Sequence, residues 1–247
     1  MNSKLLRLLT LLLQILVIGI CLTICVYGIV VSVDSSESYP YIAATVRVSI
    51  LLLITISYYK TSVSAFNPGN LFMMMAMLYM SITELRILSY FTGLTGWSIL
   101  PPRVSVRLQL FSQFMLYFSL AGYALFYQNN EHSSTTRFNT FGTIAMLFLA
   151  ITIPSTQDID GVWGKRAPLS LLVIIASIAL ITILIILFNE QSKAGAVRLV
   201  GLILMILGNF LTVLLTSSLI YSTIGSALFF IGGFMVMVVT LRNSVIL

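Results

Sequence analysis

The chemistry of this sequence is concentrated in Thr83-Glu84-Leu85-Arg86, set inside an apolar run, and in Arg47 in the apolar run before it. A carboxylate or guanidinium at membrane depth costs several kcal/mol unless another group answers it, so such residues mark the first place to look for a site. If the two runs form adjacent antiparallel helices, Arg47 lies about 9 Å from the outer end of its helix, with Arg86 and Glu84 about 12 and 15 Å from theirs. An ion pair between Arg47 and Glu84 is therefore expected. Residues 84 and 86 stand about 200° apart around an α-helix, so they cannot both face the same neighbour. Arg86 then needs a different partner: Asp158 or Asp160 descending from a loop, a lipid phosphate reached by snorkelling, or an anionic ligand. Arg103 and Arg107 add positive charge at the same end.

Two readings of this cluster stand. It is an outward-facing polar pocket for an acidic small molecule or an anionic lipid headgroup, or it is a structural ion pair locking two helices while the other arginines sit among headgroups. Proton coupling through Glu84 would be a third use of a membrane acid, and an arginine held against the carboxylate opposes it.

The elements that must position these charges are read from composition. The chain is 59% hydrophobic and 8% charged, with a mean hydropathy of +1.06, far from the ~25% charged residues of a soluble domain. Unpaired backbone groups are not tolerated in hydrocarbon, and apolar runs of roughly twenty residues without strict alternation select helices over a barrel. The expected fold is an all-α, polytopic transmembrane bundle with short loops, a single integral membrane domain over 1–247. Its spans are 8–31, 41–59, 71–94, 108–127, 138–154 and 169–188, with two more in 199–241 joined by a turn near 217–226. That makes eight spans, or seven if the short fifth one is re-entrant. The apolar run after Arg7 is too long and lacks the cleavage site of a signal peptide, so it reads as a retained first span.

Eight spans place both termini on one side. With the amino terminus cytoplasmic, Lys4, Arg7, Lys60, Arg137, Lys193, Arg198 and Arg242 fall inside against Arg103, Arg107, Lys165 and Arg166 outside. This bias follows the positive-inside rule and points to an integral cell (cytoplasmic or inner) membrane protein. The net charge of +6 is scattered rather than gathered into a patch, which excludes nucleic acid as a partner.

The last two spans carry Gly201 and Gly208, then Gly225 and Gly232, with Ser218, Ser222 and Ser226 at four-residue steps. Small residues on one face let helix backbones approach closely, so these positions predict a tight hairpin, packed within the chain or against another protein.

Other residues support bland roles. Cys21 and Cys25 share one helical face and read as small core residues, because a thiol metal site needs further ligands. Met73, Met74, Met75, Met77 and Met80 point in nearly all directions around one helix and form no copper-binding face. Gln14, Gln113 and Asn209 suit interhelical hydrogen bonds of about 0.6 kcal/mol each, or the lining of a path. His132 is the only histidine, no G-x-S-x-G elbow or Walker loop occurs, and the four lysines are in loops or at a terminus. Asp158 and Asp160 alone are a solvated acidic turn rather than a calcium loop. No cofactor, metal or enzymatic activity is expected.

Many spans joined by short loops resemble, in architecture alone, the membrane sensory modules of some bacterial signalling proteins. The chain ends soon after its last span, so a sensory role would need an output partner in trans. The expectation is a non-catalytic multi-pass subunit or receptor-like module of a larger membrane assembly, with other membrane or soluble subunits as partners. The competing class is an autonomous transporter or channel whose path passes Glu84, Gln113 and Asn209.

Overall fold

In a computed structural model of the chain, the described residues are 3–32, 35–64, 68–97, 99–127, 132–153, 166–214 and 219–245. Among them all regular structure is helical and no strand occurs. The helices are α1 (Ser3–Val31), α2 (Ser35–Ser64), α3 (Pro68–Thr83), α4 (Ile87–Thr95), α5 (Pro102–Phe126), α6 (His132–Thr152), α7 (Arg166–Asn189), α8 (Lys193–Leu214) and α9 (Leu219–Val245). A single 3₁₀ turn, Glu84–Arg86, joins α3 to α4 without a loop.

Five stretches are long and apolar enough to cross a membrane: Arg7–Val31, Gly69–Thr95, Ser170–Asn189, Lys193–Thr212 and Thr223–Thr240. The apolar part of α2, Pro40–Ile56, is shorter. Helices α5 and α6, with 25 and 21 residues, are roughly 37 and 31 Å long at ~1.5 Å per residue, but each carries a polar face or end that lowers its hydropathy. Helix α6 begins at His132, six residues before the expected start of the fifth span, so the helix is longer than its apolar part.

Local signals account for the helix ends. Pro102 opens α5, where a missing N–H is harmless. Gly96 closes α4 with φ 71°, a left-handed conformation that glycine adopts freely, and its N–H donates to the Thr92 carbonyl. Ser192 caps α8, its Oγ accepting the Gly195 N–H at 2.9 Å.

The chain divides into two compact units. The first comprises residues 1–52, 75–116 and 140–173, and the second 53–74, 117–139 and 174–247. In the first, Val17, Ile18, Cys21, Ile24 and Cys25 form one stripe of α1 and pack with Tyr41, Ala44 and Val48 of α2 and with Leu85, Ile87 and Leu88 around the 3₁₀ turn. The Tyr41 ring lies on Gly28, where a side-chain carbon would come within 2.7 Å of the phenol Cζ. Glycine at position 28 thus admits the ring that brings α2 against α1.

The second unit holds the α8–α9 hairpin. A side-chain carbon at Gly201 would lie 2.8 Å from the Gly232 carbonyl oxygen, and one at Gly225 would lie 2.6 Å from that of Gly208. Carbons at Gly208 and Gly232 would strike the backbone nitrogen of Phe229 and the Gly201 oxygen. The obstacles are backbone atoms, which cannot rotate away, so these four glycines set the separation of the two helices. Ser222 lies on the first turn of α9, while Ser218 lies outside the described residues. Elsewhere in this unit Phe72 stacks on Phe126 and meets Phe118 and Phe138 edge-on, with Gly122 leaving room for its ring.

Replacing Gly208 with leucine should destabilise the protein by at least about 3 kcal/mol, the upper range for overpacking a rigid site. Gly19 has nothing within 4 Å of its missing side chain, so Gly19→Ala should be neutral or stabilising by up to about 1 kcal/mol. Thermal unfolding of the two purified variants checks both signs.

Candidate functional site

The cluster of charge lies in the first unit. Arg47 is on α2, twelve residues from its start at Ser35, and Glu84 is eleven residues before the end of α4 at Thr95. These positions are about 18 and 16 Å along their helices, deeper than the expected boundaries implied, because α2 begins earlier than residue 41.

Arg47 grips Glu84 with both arms of the guanidinium fork. Its Nε donates to Oε1 and its Nη2 to Oε2, each at 2.9 Å. Two parallel charge-assisted bonds fix both distance and plane, the strongest geometry available to this pair. Glu84 is 1% exposed and Arg47 7%, so neither charge has bulk water to fall back on.

Among the described residues the acid that Arg86 meets is Glu84 itself, which the α-helical angle did not predict. The Arg86 Nη2 lies 3.8 Å from Oε1 of the same Glu84. The helix is wound as 3₁₀ over Glu84–Arg86, which turns about 120° per residue and brings 84 and 86 to about 120° apart instead of about 160° by the shorter way round. The long arginine stem closes the remaining gap. Among the described residues the result is one carboxylate between two guanidinium groups, an excess of one positive charge.

Two hydroxyls just before the tightened turn bond back into the helix. Ser81 Oγ donates to the Met77 carbonyl and Thr83 Oγ1 to the Tyr79 carbonyl, each at 2.9 Å. Hydroxyls bonded back to the i−4 carbonyl compete with the helical ladder and bend it.

The same hydroxyls receive neighbouring helices. Gln14 of α1 donates to Ser81 Oγ at 3.2 Å, and Gln113 of α5 donates to Thr83 Oγ1 at 3.3 Å. On α5, Ser105, Gln109, Ser112 and Gln113 are all buried, forming a polar stripe at helical spacing. Four segments thus bring polar groups to one buried seam around Glu84. The role of Ser105, Gln109 and Ser112 was missed in sequence, although their spacing with Gln113 on one face of α5 was the available signal.

Arg103 and Arg107 are exposed on the first turns of α5 and do not join the Glu84 cluster. Asp158 and Asp160 lie outside the described residues. Asn209 belongs to the second unit, where its Nδ2 donates to the Tyr117 hydroxyl at 2.9 Å. Cys21 and Cys25 are free, buried thiols, and among the described residues no group of histidine, cysteine and carboxylate side chains could hold a metal. What the arrangement offers chemically is a fixed, desolvated surplus of positive charge. Arg86 has a side chain 19% exposed, so it is the member of the cluster that another acceptor can reach.

No protein-family model matches this chain, and no curated protein or solved structure matches it either. The reading of the site therefore rests on its geometry.

That geometry ranks three substitutions. Glu84→Gln leaves two buried guanidinium groups facing each other and should destabilise by about 3–5 kcal/mol, the penalty for breaking a buried pair. Arg47→Gln leaves Glu84 with the longer Arg86 contact and should cost less. Arg86→Gln leaves a neutral bidentate pair and should change stability by less than about 1 kcal/mol. Denaturation of the purified variants should give this order, and an Arg86→Gln variant as unstable as Glu84→Gln would contradict it.

Proposed function

We propose that the protein is a non-catalytic multi-pass membrane subunit or receptor-like module of a larger membrane assembly, holding an acidic or lipid-like ligand at Arg86. In this reading the helices make eight spans of the cell membrane with both termini cytoplasmic. The observation that carries it is the imbalance at Glu84, where among the described residues one carboxylate serves two guanidiniums and Arg86 reaches it at 3.8 Å. A half-buried cation whose partner is already bound twice by another arginine is stabilised by a further anion. A purely structural lock would need only Arg47 and Glu84.

A second reading is an autonomous transporter or channel. The buried seam of Gln14, Ser81, Thr83, Gln109, Ser112 and Gln113 favours it, since polar side chains at the heart of apolar helices line many solute paths. Ordinary interhelical hydrogen bonds explain part of this seam, and for that reason it ranks second.

Extraction from the native membrane in mild detergent, followed by native mass measurement, should give a particle well above any small homo-oligomer with other chains in it. A lone monomer or homo-oligomer would end the subunit reading and make solute uptake into vesicles, with Glu84→Gln as control, the deciding assay. Mass spectrometry of acidic small molecules and lipids released on denaturation should find an anionic species on the wild-type protein that is missing from Arg86→Gln. Identical extracts would remove the ligand from the proposal.

A further inference from the structure

The second unit contains another buried cation, and nothing in the Glu84 cluster explains it. Arg198 is 7% exposed and sits on the packed face of α8, in line with the buried Gly195, Leu199, Leu202, Met205 and Ile206. It therefore does not snorkel along the outside of its helix. Its guanidinium carbon lies 4.5 Å from the centroid of the Tyr127 ring, and its Nε is buried without a hydrogen-bond partner. A π-face attracts the charge, but it does not replace the in-plane acceptor that a guanidinium N–H requires.

Glu190 is engaged with the same tyrosine and with its own loop. Glu190 Oε2 accepts the Tyr127 hydroxyl, and Glu190 Oε1 accepts the Ser192 N–H at 3.0 Å. Gly195 is the floor beneath that carboxylate, for any side chain there would strike it. Glu190 thus fixes the ring on which Arg198 rests, and among the described residues no carboxylate pairs with Arg198 itself. Tyr123 and Tyr127 lie with their rings 6.2 Å apart, and the Tyr123 hydroxyl shares a 3.4 Å hydrogen bond with Thr240.

We propose that Arg198, seated on Tyr127, binds a phosphate group, supplied either by a lipid headgroup or by free inorganic phosphate. Arg198 is five residues from the start of α8 at Lys193, about 7.5 Å along the helix, a depth that a headgroup phosphate reaches. The planar fork of a guanidinium matches two phosphate oxygens, and such a bond answers the Nε–H that the ring leaves unsatisfied. The site is independent of Arg86 and stands or falls separately.

The test uses the whole protein in a maltoside detergent, washed until no phosphorus remains, with the unfolding midpoint as readout. Inorganic phosphate, phosphatidylglycerol and a diacylglycerol of the same acyl chains are added in turn to the wild-type protein and to Arg198→Met, Arg198→Gln and Arg86→Gln. The methionine variant keeps the packing of the stem and removes an uncompensated charge, so it should fold even if the glutamine variant does not. At a hundredfold excess over the dissociation constant, the wild-type midpoint should rise by about 5 °C. A rise with inorganic phosphate identifies a free-phosphate site. A rise with phosphatidylglycerol, but not with inorganic phosphate or the diacylglycerol, identifies a lipid-phosphate site. In either case the shift should vanish in Arg198→Met and persist in Arg86→Gln. No shift in the wild-type protein, an equal shift in Arg198→Met, or a shift lost only in Arg86→Gln overturns the proposal.

Discussion

A charge removed from water must be answered by another charge, and the first unit is arranged around that requirement at Glu84. Coulomb attraction between groups in contact grows several-fold as the effective dielectric falls, but the desolvation penalty grows with it, so only good geometry leaves a net gain. The bidentate grip of Arg47 supplies that geometry. It in turn fixes the rotation of α2 against the α3–α4 segment, and α1 packs its stripe of small and branched residues against both. A directional contact of this kind decides which helix faces meet.

In the second unit the two glycine-lined helices meet without an ion pair between them. Its α8–α9 hairpin depends on missing side chains, with backbone carbonyl and amide atoms filling the space. Close approach increases dispersion contact along the helices, and small residues lose little side-chain entropy in doing so. Where the first unit selects a partner face by electrostatics, the hairpin selects it by shape. The hydrogen bond from Asn209 to Tyr117 then ties α8 to α5 within that unit.

Some of this was legible in the sequence. The depth match of Arg47 and Glu84 followed from counting residues along two apolar runs, and the glycine spacing of the last two helices followed from helical periodicity. The link from Arg86 to Glu84 did not, because it depends on a 3₁₀ turn that propensity does not announce in an unbroken apolar run. Serine and threonine hydroxyls bonded to the i−4 carbonyl also occur where the helix stays α, as at Thr45 and Thr182, so they do not announce the turn. Arg198 was equally hidden. In sequence it is one more basic residue near a helix start, and only tertiary packing shows that its helix turns it inward onto a tyrosine. Helix α6 begins before its apolar part because Ser133, Ser134, Thr135 and Thr136 are polar without being helix breakers, so hydropathy marks the apolar boundary and not the helix start.

The 3₁₀ turn carries a mechanical consequence. Its three residues rise about 2.0 Å each and turn about 120°, against about 1.5 Å and 100° in an α-helix. Rewinding Glu84–Arg86 as α-helix would shorten the rod by about 1.5 Å and screw α4 about 60° relative to α3. The rotation would carry Arg86 away from the carboxylate while Arg47 kept its hold. The joint between α3 and α4 is thus a threaded coupling, in which the state of one ion contact and the angular setting of the following helix are the same degree of freedom.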